Sequence, residues 1–294
     1  MKKQPINFAF FGTPDRAVWA LDVFYASGFT PSVIITQPDR PQGRKLILTP
    51  PPAKVWALAH NIPVFQPEKL DSEFINKLSP DALGRDPDFV LKRRGYSLFI
   101  VVAYGKIIPT EIFTIPKYGT LNIHGSLLPK YRGASPIETA ILNDDQETGV
   151  SIILMDEKMD HGPIVAKEKV KIANWPPTAN ELAKDIVKKG AELLVKIISK
   201  WIAGEIKLVE QDHTKATFTK KITKEDGLIN LNDDSYKNFL KIQAYKIWPG
   251  TYFFSGKTRV IIKSAEYKNN ILKIIRVVPE GKKETDYEKF IKNQ

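Results

Sequence analysis

The chain has 294 residues, 43% hydrophobic and 26% charged, which favours two domains and excludes wholesale disorder. It contains no Cys, so disulfides, thiolate metal sites and cysteine nucleophiles are excluded together, in keeping with a reducing compartment. The formal net charge of +11 is spread unevenly: residues 205–294 carry 18 Lys/Arg against 12 Asp/Glu, a surplus suited to a phosphate backbone.

The run Asn7 to Phe11 (NFAFF) stops at Gly12 and predicts a first β-strand; it is too short for a signal peptide. Thr13 or Asp15 is placed to cap a helix over Arg16 to Ser27, whose Val18, Leu21, Val23 and Phe24 form one apolar face. Ser32 to Thr36 predicts a second strand, so the chain opens β-α-β, the pattern of a parallel sheet with a right-handed crossover. Next comes a proline-stiffened loop, Gln37 to Pro52, with Arg40, Arg44 and Lys45 at a cationic tip. Helices are predicted over Ala53 to His60 and Asp71 to Leu78, with a short strand at Val64-Phe65 between them. An irregular charged segment, Pro80 to Gly95, leads into Tyr96 to Ala103 (YSLFIVVA), the most apolar run and the expected central strand.

Strands over Thr120 to His124, Gly149 to Met155 and Ile164 to Ile172 follow, with helices over Ser135 to Leu142 and Asn180 to Ile202. This alternation predicts a three-layer α/β domain over residues 1–204. After Gly204 the pattern changes to short runs: Ala216 to Thr219, Leu228 to Leu231, Thr251 to Phe254, Arg259 to Lys263 and Leu272 to Val278. Ser255-Gly256 and Asn269-Asn270 are turn signals, and Ser235 to Tyr245 reads as one helix. A small β-barrel domain over 205–294 is expected, with Trp248-Pro249-Gly250 packing within it. No stretch approaches the roughly 20 apolar residues of a membrane helix, so a soluble, cytoplasmic protein without membrane contact is expected. The four histidines are scattered, and no metal site is expected.

The stretch Gly119 to Pro129, GTLNIHGSLLP, carries the most chemistry. Asn122 and His124 lie two apart on a strand, so their side chains leave the same face, and Gly125 permits a turn directly after them. Ligands of open α/β sheets bind at such strand ends. A carboxamide beside an imidazole suits an oxyanion formed when a carbonyl is attacked. The same pair can equally be structural hydrogen-bond partners. An acidic residue in the stretch Met155 to Ile164 could orient the imidazole or relay a proton from an attacking amine through water.

Several segments together resemble the methionyl-tRNA formyltransferase family: GTPD (12–15), QPDRPQGR (37–44), VVAYGKIIP (101–109), LNIHGSLLPKYRGASPI (121–137) and ETGVSIILMDEKMDHGPI (147–164). AYKIWPGTYF (244–253) and PEGKK (279–283) resemble that family's second domain. The resemblance implies a Rossmann-like formyltransferase domain followed by an OB-like barrel. It implies Asn122, His124 and Asp160 as the catalytic trio. Ser126, Leu127, Leu128 and Pro129 would form the folate-binding turn, and Val102, Ala103, Tyr104, Gly105 and Ile108 would line the pterin slot. It further implies 10-formyltetrahydrofolate as formyl donor and a monomer that formylates methionyl-initiator tRNA. Arg40, Arg44 and Lys45 would then enter the tRNA acceptor end. A sugar-nucleotide amine is the alternative acceptor, served by the same trio. Two departures stand out: the segment Pro80 to Gly95, with Lys92, Arg93 and Arg94, is longer than the family's usual link, and the C-terminal region is compact.

Overall fold

The computed structural model of the chain describes residues 6–43, 45–74 and 95–293. Its strands run in chain order as β1 (Phe8–Gly12), β2 (Val33–Ile35), β3 (Arg40–Gln42), β4 (Ile47–Thr49), β5 (Val64–Phe65), β6 (Leu98–Val102) and β7 (Thr120–His124). They continue with β8 (Arg132–Gly133), β9 (Gly149–Leu154), β10 (Ile164–Lys169), β11 (Phe218–Thr219), β12 (Tyr252–Ser255), β13 (Thr258–Lys268), β14 (Ile271–Pro279) and β15 (Thr285–Asp286). Two compact units result. The first takes Met1–Pro129, Gly149–Glu168 and Ile186–Lys215; the second takes Lys130–Thr148, Lys169–Asp185 and Ala216–Gln294.

A seven-stranded sheet, ordered β10-β9-β7-β6-β1-β2-β5, frames the first unit. β7, β6, β1, β2 and β5 run parallel, and β9 is antiparallel to β7. Every residue of β1 and β6 is buried, because the sheet is covered on both faces; such strands read as unbroken apolar runs. On one face Phe8 and Phe10 meet Phe24 of the helix Asp15–Ala26 edge-on. On the other, Ala9 and Phe11 join Phe99, Val101, Tyr104, Ile108 and Ile112. Burying each large apolar side chain contributes about 1.5–3 kcal/mol. From β1 the chain adds β2 and β5 on one side, then returns to place β6 on the other. The order therefore reverses between β1 and β6, and a crevice is expected at their C-terminal ends.

The helix Ala179–Ile202 begins with a capping box: Thr178 N and Oγ1 donate to Glu181 Oε2, and Glu181 N donates back to Thr178 Oγ1. Gly190 lets this helix approach the sheet, since a Cβ there would lie 2.5 Å from Ile123 Cγ2. The helix Asp15–Ala26, by contrast, has Pro14 at its N-cap and no side-chain cap. Thr13, expected as a cap, turns its hydroxyl elsewhere.

In the second unit an antiparallel sheet, β12-β13-β14-β15, buries Phe253, Val260, Ile262, Ile274 and Val277 against Ile242 and Phe290. These last two come from the helices Ser235–Ala244 and Tyr287–Lys292. The fold class, a Rossmann-like α/β domain followed by a β domain, is the one expected. The runs around Arg259 and Leu272 are arms of one longer hairpin, 11 and 9 residues long. Asn269 and Asn270, both at positive φ (51 and 62), make its two-residue turn. Three details differ from the sequence reading. The proline-rich segment contains a hairpin, β3 with β4, turned through Gly43 at φ 69. Trp248 does not pack away, being 54% exposed beside Ile247 at 70%. Leu228 to Leu231 forms only an isolated bridge from Leu228 to Tyr252. Arg44, the second half of the helix expected over Asp71 to Leu78, and all but Gly95 of the segment 80–95 lie outside the described residues.

Candidate active site

β7 lies between β6 and β9, with Asn122 opposite Val101 on one side and Ile153 on the other. Its two-residue period brings the side chains of Asn122 and His124 out on one face. Asp160, from the loop joining β9 to β10, meets both. Asn122 Nδ2 donates to Asp160 Oδ1 at 3.3 Å, and His124 Nδ1 stands 3.5 Å from Asp160 Oδ2. His124 is 6% exposed and Asp160 12%, so little water screens the contact. Each oxygen of one carboxylate thus faces a different partner. Both contacts are long for hydrogen bonds. With Nδ1 turned to the carboxylate, His124 Nε2 is an acceptor when the ring is neutral and a donor when it is protonated.

The turn after β7 is fixed from beneath. Ser126 N donates to His124 O at 3.0 Å. Ser151, fully buried in β9, donates its hydroxyl to Ser126 O at 2.8 Å and accepts from Leu128 N at 3.0 Å. Ser126 and Leu128 are buried, while Leu127 and Pro129 are half-buried. Sequence reasoning passed over Ser151; its only signal was a polar residue at an inner position of an apolar strand. It also passed over Gln211, whose Nε2 donates to Asp160 O and Gly162 O.

Just past the C-terminal end of β6, beside β1, the segment Val102 to Gly105 bends sharply, with Ala103 at φ 49 and Gly105 at φ 82. Ala103 and Gly105 are exposed, whereas Val102, Tyr104 and Ile108 are buried. The Tyr104 ring sits edge-on to Phe11 in the core, and burial pushes its phenol up to about 12. What Tyr104 presents at the bend is its backbone: Thr13 Oγ1 and Gln37 Nε2 each donate to Tyr104 O at 2.9 Å. Gly105 is favoured by its φ of 82, and a Cβ there would also push Gln37 Nε2, 2.6 Å away, from its place.

Gln37 begins the segment that leads into the β3–β4 hairpin. Its base is pinned where Gln66 Nε2 donates to Gln37 O and to Asp39 Oδ1, and Lys54 pairs with Asp39 at 2.8 Å. The Gln66 hydrogen bond first, then Lys54, holds the Asp39 carboxyl below its ordinary value. At the tip Lys45 is exposed, and so are three consecutive apolar side chains, Leu46, Ile47 and Leu48, at 71%, 62% and 64%. Arg40 is paired with Glu68 at 2.7 Å in the open, an interaction worth little in water. Among the described residues no group of three or more His, Asp or Glu is arranged to hold a metal ion. Among them, too, no helix is long and apolar enough to cross a membrane.

Residues 7–198 match the formyl transferase family, and residues 221–272 match the formyl transferase C-terminal domain. A methionyl-tRNA formyltransferase of Chloroflexus aurantiacus is 42% identical over 265 residues, covering 88% of this chain and 80% of that protein. Two solved structures share the fold. One is a methionyl-tRNA formyltransferase from Clostridium thermocellum (TM-score 0.61, 18% identity, 93% of this chain and 98% of that one). The other is an N-formyltransferase from Helicobacter canadensis in complex with folinic acid and dTDP-3-aminofucose (TM-score 0.62, 20% identity, 90% and 88%). With 42% identity over most of both sequences, and both domains matched in order, the chain belongs to the methionyl-tRNA formyltransferase family.

Proposed function

We propose that the chain transfers the formyl group of 10-formyltetrahydrofolate to the free amine of methionyl-initiator tRNA, with Asn122, His124 and Asp160 as catalytic residues. The observation that carries this reading is the single Asp160 carboxylate shared by Asn122 Nδ2 and His124 Nδ1 at the end of β7. The donor supplies a formyl carbon open to attack by an unprotonated amine. Asn122 Nδ2 bears two N–H groups, so one can remain on Asp160 while the other meets the negative charge growing on the formyl oxygen. The tetrahedral adduct collapses by breaking the bond from the formyl carbon to N10; the amine gives up a proton at His124 Nε2, and tetrahydrofolate leaves with a proton on N10. Asp160 fixes the tautomer through Nδ1.

The bend at Val102 to Gly105 suits a flat pterin, offering exposed backbone above a buried apolar wall. The buried turn Ser126 to Pro129 is the proposed wall beside it, and the folinic acid held by the Helicobacter canadensis enzyme has the chemistry this slot would take. Arg40, Arg44 and Lys45 are proposed to hold tRNA phosphates at the acceptor end, with the lysine-rich 205–294 domain taking the tRNA body. The exposed Leu46, Ile47 and Leu48 add an apolar surface against which unpaired bases can rest. The test is an acceptor competition: labelled 10-formyltetrahydrofolate with methionyl-initiator tRNA, a sugar-nucleotide amine, or water. Label on the tRNA alone supports the reading. Label on the sugar amine with none on tRNA refutes it.

A further inference from the structure

The Asp160 carboxylate can serve Asn122 and His124 only while the backbone beneath it holds its place, and that backbone is not relaxed. Asp160 has φ 49, in the left-handed region that a non-glycine residue keeps only when its surroundings over-determine it. Two residues on, Gly162 is pressed against β9: a Cβ there would stand 1.9 Å from Leu154 O. One side chain grips both residues. Gln211 is 5% exposed, and its Nε2 donates to Asp160 O at 2.9 Å and to Gly162 O at 2.8 Å. A carboxamide nitrogen carries two N–H groups, so a single atom answers two carbonyls.

The segment that bears Gln211 is itself anchored to this loop. Ile164 N donates to Val209 O at 2.8 Å, and Val209 N donates back to Ile164 O at 3.0 Å. Two residues beyond Gln211, the His213 ring stacks on His161, with centroids 4.0 Å apart and planes 6° off parallel. Residues 209–213 therefore lie along the loop that carries Asp160, with Gln211 bonded to the backbone on both sides of His161.

We infer that Gln211 is a positioning residue for formyl transfer: it holds Asp160 in the left-handed conformation that turns its carboxylate to Asn122 and His124. The inference rests on the proposed role of Asp160. It is specific to residue type. Glutamate has the same length but, when ionised, only accepts, so it would repel both carbonyls; asparagine is one carbon shorter. A misplacement of about 1 Å at a reacting centre costs up to about 100-fold in rate.

The test compares Gln211→Ala, Gln211→Glu and Asp160→Ala with the intact chain in steady-state formylation. Gln211→Ala is expected to lower kcat about 10- to 100-fold while the KM values for folate and tRNA stay within about twofold. Gln211→Glu is expected to be slower still at pH 8, with its rate relative to wild type rising on acidification, as the protonated acid regains one donor. Wild-type kcat in Gln211→Ala beside an inactive Asp160→Ala overturns the inference and leaves the trio standing. Wild-type kcat in Asp160→Ala removes the reading on which the inference rests. A Gln211→Ala variant that melts lower but keeps full kcat when folded makes Gln211 merely structural and overturns the inference. Should Gln211→Ala not fold, Gln211→Glu decides: a relative rate that climbs at low pH supports the inference, and one independent of pH overturns it.

Discussion

Replacing Ser151 by alanine isolates the support of the Ser126 to Pro129 turn, the proposed folate wall, from its chemistry. The hydroxyl is fully buried; it donates to Ser126 O at 2.8 Å and accepts from Leu128 N at 3.0 Å. In Ser151→Ala the Leu128 N–H loses its acceptor inside the core, at a cost of about 1–3 kcal/mol. Ser126 O loses one donor, worth about 1 kcal/mol more. The sum is about 2–4 kcal/mol. At about 2–4 °C per kcal/mol for a domain of this size, Tm should fall by about 5–15 °C. The turn should also loosen where the donor is proposed to sit, raising the KM for 10-formyltetrahydrofolate with little change in the KM for tRNA. Thermal unfolding followed by circular dichroism, and initial rates at varied folate, measure both. A Tm within about 1 °C of wild type with an unchanged folate KM would refute the argument.

Gly162→Ala places a methyl 1.9 Å from Leu154 O, so the loop must shift; a loss of about 1–3 kcal/mol and a clear fall in kcat are expected, checked by denaturant melts and formylation rates. Among the described residues the buried Tyr104 hydroxyl has no hydrogen-bond partner, so Tyr104→Phe should stabilise the fold by about 1 kcal/mol at neutral pH. Burial raises Tyr96 and Tyr104 to about 12, above their ordinary 10. Below pH 10 they leave stability unchanged with pH; as pH rises from 10 through 12 the unfolded chain ionises first and stability falls, and Tyr104→Phe should lose less stability across that window in an alkaline unfolding series. In the basic segment Gln37 to Pro52, Arg44→Ala or Lys45→Ala should raise the KM for tRNA and leave that for folate alone. Each lost phosphate contact should also flatten the salt dependence of tRNA binding by about 0.9 in log–log slope; an unchanged slope and KM would remove these residues from the tRNA contact.

The parts of this fold legible in the sequence are those set by local rules. β1 and β6 announce themselves as unbroken apolar runs because the sheet buries them on both faces. Asn122 and His124 share a face because strands have a period of two. The trio's third member came only through family resemblance: the loop 155–163 shows acidic residues but nothing that says which one turns inward. Tertiary contacts decide the rest. The β3–β4 hairpin was hidden because Pro41 stands within its first strand and proline argues against strand. Thr13 looked like a helix cap and instead serves Tyr104 O, 91 residues away. Gln211 lies 51 residues from Asp160 on an irregular segment, where no periodicity could point to it.

The most direct test of the account is the turnover of Asn122→Ala with 10-formyltetrahydrofolate and methionyl-initiator tRNA, measured together with folate binding at equilibrium. The account predicts a fall in kcat of about 10²–10³ with folate affinity within about twofold of wild type. Near-normal turnover in that variant would contradict the assignment of Asn122 as the donor to the developing oxyanion.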